Sequence, residues 1–261
     1  MKRTLLAVLF TLFATHVFAQ DTDVSFEPPK ITAEVAAKYA IYSMIASNSY
    51  HKTDRVKFPV EKLGWIQVDG NGKPTDSPTE ERKSGLAYDI FEKENSNEVV
   101  FAFRGTDRKK DYLTANLAIW PFSIQYTQAK KAFGEYIKSH PDKKVTVTGH
   151  SLGGGLALSM SVRYGVDAVV FDSSPRIFDG LGDKHLPATR ILIYEGGEIL
   201  AVVRNLWKKI FEVVPRENIY KASFDFGRAN KHRSDHLALG LLKLGATADA
   251  TLVPVRDALP K

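Results

Sequence analysis

The stretch KVTVTGHSLGGGLALSM, residues 144 to 160, limits the fold more than any other part of the chain. Val145 and Val147 give an apolar alternation that reads as a strand. Leu156, Ala157, Leu158 and Met160 then give a small-residue helical pattern. Between them Gly149, Gly153, Gly154 and Gly155 crowd around one hydroxyl, that of Ser151. A serine on a sharp strand-to-helix turn sits in strained backbone, and glycines beside it remove side-chain collisions there. The hydroxyl is then exposed at the carboxyl edge of a sheet. The first free amides and the positive end of the helix face any oxyanion formed beside it. A phosphate loop is a poorer fit, because no G-K-[ST] ending follows. No G-x-G-x-x-G with a downstream ribose-binding acid occurs either.

The rest of the chain supplies a sheet for such a turn. Thr32 is a helix cap, and Val35, Tyr39, Tyr42 and Ala46 recur at helical spacing behind it. Gly64 to Val68 and Gly85 to Lys93 read as an antiparallel edge hairpin around the turn-rich DGNGKPTDSPTEE. Val99 to Phe103 is a buried-strand run, and Gln128 to Ser139 a helix stopped by Pro141. Short β-rich runs follow at Ala168 to Phe171, Arg190 to Tyr194 and Asn218 to Phe224, before a closing helix over Asp235 to Leu244. Strands alternating with helical patterns predict an α/β fold with a mostly parallel central sheet flanked by helices.

Composition enters through export and charge. Lys2 and Arg3, the apolar run from Leu5 to Phe13, and Val17-Phe18-Ala19 form the pattern of a signal peptide cleaved after Ala19. Residues 20–30 read as an extended lead-in, and 31–261 as a single domain. No later stretch approaches the 18 apolar residues of a spanning helix. A periplasmic or secreted location is expected. The chain has no cysteine, so its core must hold it without disulfides. Lys2 and Arg3 fall in the leader, leaving 34 bases against 30 acids, a net +4. That charge mildly favours anionic surfaces such as phospholipid head groups, and it is no footprint for nucleic acid.

The phrases VTVTGHSLGGGLA and VVFAFRGTD closely resemble those of the class 3 lipase family, fungal-lipase-like α/β-hydrolases. The resemblance is sharp in these two motifs and faint in the last third. It implies an α/β-hydrolase fold in which Ser151 is the nucleophile. Thr106 and Leu152 would supply the oxyanion-hole amides, matching the physical need for one donor after the nucleophile and one from an earlier loop. DYLTANLAIWPF lies where the family carries a lid; its Leu113, Leu117, Ile119, Trp120 and Phe122 either cover an acyl groove or belong to the core.

A serine nucleophile needs a general base, and the imidazole needs an orienting carboxylate. Downstream of Ser151 stand His185, His232 and His236. His185 precedes a strand and reads as a loop residue. His232, in the loop before the closing helix, is favoured over His236 in its first turn, although DHLAL resembles the fungal phrase. For the acid, the resemblance selects Glu198 in TRILIYEGGEILAVV, where the family mostly has aspartate. It stands ahead of Glu195, Asp183 and Asp179. Asp172 in FDSSPR is either structural or a competitor for the histidine. VVRNLWKKIFE, with Trp207 beside Lys208 and Lys209, reads as a core-facing helix or a contact with an anionic membrane surface.

The expected function is therefore an exported serine ester hydrolase of lipase or phospholipase A type, with an ester or phospholipid as substrate. Neither metal nor other cofactor is implied, since the histidines lack ligand spacing. The alternatives are thioester or amide cleavage by the same residues, or a non-catalytic lipid- or partner-binding module on a hydrolase scaffold.

Overall fold

The structure is a computed structural model that describes residues 26–105, 120–174, 187–197, 213–226 and 231–260, the side chains of 120–123 excepted. Among these residues the frame is an eight-stranded sheet in the order β1-β3-β4-β5-β6-β7-β8, with β2 added beside β3. Strands β1 (Trp65–Val68), β2 (Glu80–Glu81), β3 (Ala87–Lys93) and β4 (Glu98–Phe103) meet antiparallel. From β4 onward the sheet is parallel, through β5 (Lys144–His150), β6 (Asp167–Phe171), β7 (Arg190–Glu195) and β8 (Ile219–Ala222). This is the mostly parallel α/β arrangement, with an antiparallel edge, expected from the sequence. The edge hairpin is present, with Trp65 opposite Lys93 and Val68 opposite Ile90. Its turn-rich connection is not purely loop, because β2 also pairs with β3.

Both faces of the parallel strands are covered, which is why they read as unbroken apolar runs. In β4, Val99, Phe101 and Phe103 point to one core while Val100 and Ala102 point to the other. The first core lies under α2 (Trp120–Ser139) and α3 (Leu152–Tyr164), with Phe133 against Phe101 at 5.1 Å between ring centroids. The second lies under α1 (Ala33–Asn48) and α4 (Ser234–Gly245). A short α5 (Val253–Asp257) follows, unforeseen in the sequence.

Two helices depart from expectation for definite reasons. Helix α1 is capped by Thr32, whose hydroxyl accepts from Val35 N at 3.3 Å. Of the expected stripe, Tyr39 and Ala46 are buried and Val35 and Tyr42 partly so, and the buried face is wider, taking in Ala36, Ala40, Ser43, Met44, Ile45 and Ser47. Covered by the sheet on one side and by α4 on the other, it buries its small residues. A Cβ on Gly245 would stand 2.8 Å from the Ala37 Cα, so the two helices touch almost backbone to backbone. Helix α2 begins at Trp120, eight residues before the expected start, and so takes in Trp120 and Phe122 of the lid-like phrase. Pro121 is no obstacle, since a first-turn residue has no intrahelical N–H bond to lose.

Candidate active site

Ser151 stands between β5 and α3 with φ 59° and ψ −125°, a left-handed conformation that a side chain rarely adopts. The turn is tied down on both sides of the residue. Ser151 N donates to Phe171 O at 3.0 Å, and Ser151 O accepts from Ser174 N at 2.9 Å. The glycines allow the close backbone approach expected of them, but Ser151 is 1% exposed rather than open at the sheet edge, because the end of β4 and its neighbours cover the turn. A Cβ on Gly149 would strike the backbone of Gly153, and one on Gly153 would strike the Phe103 carbonyl. The α3 start is thereby seated directly against the ends of β4 and β5. Leu152 is the first helical residue, where amides lack an intrahelical acceptor.

The end of β4 reaches the same point. A Cβ on Gly105 would collide with the Tyr50 hydroxyl and the His150 carbonyl, and would come 3.2 Å from the Ser151 Cβ. Thr106, the next residue, lies outside the described residues. So do Glu198, His185, Asp179 and Asp183, the lid-like residues 113–119, the basic stretch 202–212 and the leader.

His232 and His236 are clearly separated by their surroundings. His232 is buried, and its ring lies 4.7 Å from that of His150, the residue before Ser151. His236 stacks on Phe226, with centroids 4.9 Å apart. The loop bearing His232 is fixed by its neighbours. Arg233 donates to the Asp235 carboxylate at 2.6 Å and to Asp54 O at 2.8 Å, and Val56 N donates to Asp235 at 3.2 Å. Burial alone would raise the Asp235 pKa, but Arg233 and the Val56 amide outweigh it and hold the carboxyl below its ordinary value.

By sequence Asp172 is either structural or a competitor for the histidine, and the structure sets it beside His150. It follows β6 as Ser151 follows β5, and the two strands run side by side with His150 opposite Phe171. Like Ser151 it has a positive φ, 42°. Its carboxylate is fully buried and meets His150 Nε2 at 3.4 Å, while Oδ1 accepts from Glu195 N at 2.8 Å. His150 Nδ1 in turn meets the Tyr50 hydroxyl at 2.9 Å. One ligating atom each from His150, Asp172 and His232 falls within 4.8 Å of the others. Glu195, beside this cluster, has its carboxyl pushed up to about 7 by burial. The Phe224 amide opposes that rise, the Asp172 charge adds to it, and Lys231 lowers it. His150 and Tyr50 were not foreseen. His150 is part of the G-H-S-L-G phrase, and only the sheet register shows that it faces Asp172.

The arrangement can present a serine oxygen beside helix-start amides, next to a buried imidazole. Among solved structures the chain is similar to the Lip2 lipase from Yarrowia lipolytica, at 17% identity over 69% of this chain and 77% of that one, with a TM-score of 0.44. It is also similar to lipase II from Rhizopus niveus, at 17% identity over 68% and 78%, with a TM-score of 0.46. A propeptide complex of Rhizomucor miehei lipase matches at 13% identity over 82% and 80%, with a TM-score of 0.46. No curated protein matches the sequence. A family model, the Tle-like phospholipase domain, matches residues 42–192, from α1 through the Ser151 turn and Asp172 into β7. That span is more than half of the chain, and the chain belongs to this phospholipase-like family of carboxylic-ester hydrolases.

Proposed function

We propose that the protein is an exported lipase or phospholipase A-type enzyme that cleaves acyl esters through Ser151. Ser151 attacks the ester carbonyl, and His232 takes the proton from its hydroxyl and returns it to the leaving alcohol. The Leu152 and Thr106 amides hold the oxyanion of the tetrahedral intermediate, and Glu198 orients the imidazole. Water then repeats the cycle on the acyl-enzyme. The observation that carries this reading is the left-handed backbone at Ser151, a strained conformation kept by a residue that is not glycine. The leader favours a periplasmic or secreted location, and the mild positive charge favours anionic lipid surfaces.

A second reading of the acid rests on the buried Asp172 carboxylate beside His150 and His232. It makes Asp172, rather than Glu198, the residue that orients the base. Comparing Glu198→Gln with Asp172→Asn decides between them: the true orienting acid lowers kcat by about 10,000-fold with little change in KM. A fluorophosphonate probe tests the reading as a whole. It should label the wild type and leave Ser151→Ala unlabelled. Labelling that persists in Ser151→Ala, or none in the wild type, overturns the enzyme and favours a lipid-binding module. A p-nitrophenyl ester chain-length series, with thioester and amide counterparts, then ranks the leaving groups, and phospholipid vesicles read by mass spectrometry give head group and position.

A further inference from the structure

His150, Asp172 and His232 arrive from three places: the end of β5, the residue after β6 and the turn before α4. His150 has no part in the ester chemistry proposed above, yet it is 1% exposed, Asp172 is 0% exposed and His232 is 5% exposed. The His150 Nε2 to Asp172 Oδ2 separation is 3.4 Å. In a tetrahedral zinc centre with ligands at about 2.0 to 2.1 Å, adjacent ligand atoms stand about 3.3 to 3.4 Å apart. That edge already has the right span, and the third ligand lies within 4.8 Å.

The outer partners fit as well. Metal-bound imidazoles and carboxylates are held by hydrogen bonds through their other atoms. The Tyr50 hydroxyl sits on His150 Nδ1 at 2.9 Å, which directs Nε2 to the cluster. The Glu195 amide sits on Asp172 Oδ1 at 2.8 Å, which directs Oδ2 there. Two imidazoles and one carboxylate suit zinc and its transition-metal neighbours, whereas magnesium and calcium want oxygen donors.

We propose that His150, Asp172 and His232 form a binding site for a zinc-class divalent cation that switches the hydrolase off. The metal takes the imidazole lone pair that His232 needs to accept the serine proton. Only this inhibitory half rests on the reading of His232 as base; the binding half stands on the cluster alone.

The test uses the full mature chain stripped with a chelator. Titration with zinc chloride should show one saturable site, and cobalt chloride should give the visible absorption of a tetrahedral centre. Magnesium and calcium chlorides should give neither. Asp172→Asn and His150→Gln, checked for folding by circular dichroism, should each weaken zinc at least about 10-fold, and His236→Gln should not. Tyr50→Phe keeps every ligand and should weaken zinc about 10-fold through the outer shell alone. Zinc should block fluorophosphonate labelling and EDTA should restore it. Absence of saturable binding, or unchanged affinity in all three weakened variants, overturns the site. Zinc that binds without blocking labelling overturns the switch. Labelling without a zinc site leaves the ester reading standing, and a zinc site without labelling leaves only the metal centre.

Discussion

At the scale of single residues, Ser151 and Asp172 hold the same kind of strain on neighbouring strands. A non-glycine residue in such a conformation costs on the order of 1 to 3 kcal/mol, and surrounding bonds must impose it. Here the Phe171 carbonyl and Ser174 amide fix the Ser151 backbone, while Asp172 N donates to Ile193 O at 3.0 Å. The histidine choice also belongs to this scale. His232→Ala should lower kcat by about 10,000-fold or more, whereas His236→Ala, which loses a stack on Phe226, should keep measurable turnover. Glu195 gives a stability prediction. Its carboxyl titrates near 7 in the fold against 4.5 for the ordinary group, so the folded state holds a proton that the unfolded chain releases earlier. That favours folding below 4.5 and is lost as pH rises from 4.5 to 7. Glu195→Gln keeps an acceptor for the Phe224 amide. Its melting temperature should therefore gain on the wild type across that window and level off above it. A gain that is flat with pH would show that Glu195 is not protonated in the fold.

At the scale of elements, most of the sheet was legible because parallel strands covered on both faces must be apolar throughout, as Val99 to Phe103 is. Tight turns around Ser151 were legible for the complementary reason: glycine appears where another backbone fills the Cβ position. Gly153→Ala puts a methyl into the Phe103 carbonyl and the Arg104 backbone, neither of which is a flexible chain end. We expect about 1 to 3 kcal/mol of lost stability by denaturant melt. Probe labelling should fall with it, because α3 can no longer seat beside β4. What stayed hidden arises between elements. Periodicity along α1 cannot announce that α4 lies across it, so the stripe of Val35, Tyr39, Tyr42 and Ala46 found part of the buried face but not Ala36 and Ala40. Ligand spacing along the chain likewise cannot show His150 beside Asp172, since the pairing of β5 with β6 is what brings the two strand ends together.

At the scale of the whole molecule, the absence of cysteine leaves stability to two cores, one on each side of the sheet. His232 and Glu198 lie in the faint final third of the sequence, and the family match ends at residue 192, before both. Export is checked by intact mass: protein recovered from the periplasm or medium should begin at Gln20. Protein that still begins at Met1 would count against cleavage.

The packing of α1 under α4 has a consequence in time. About 186 residues separate Asn48 from Ser234, roughly 10 to 40 s of synthesis at ordinary ribosomal speed. Throughout that interval α1 lacks the cover that α4 gives it, so the nascent chain should remain loose and threadable. For a polypeptide exported as proposed above, that delay would keep the substrate in the state a translocation channel accepts. A version ending at residue 233 should never leave it, showing no cooperative melt, whereas one ending at 252 should regain a sharp transition.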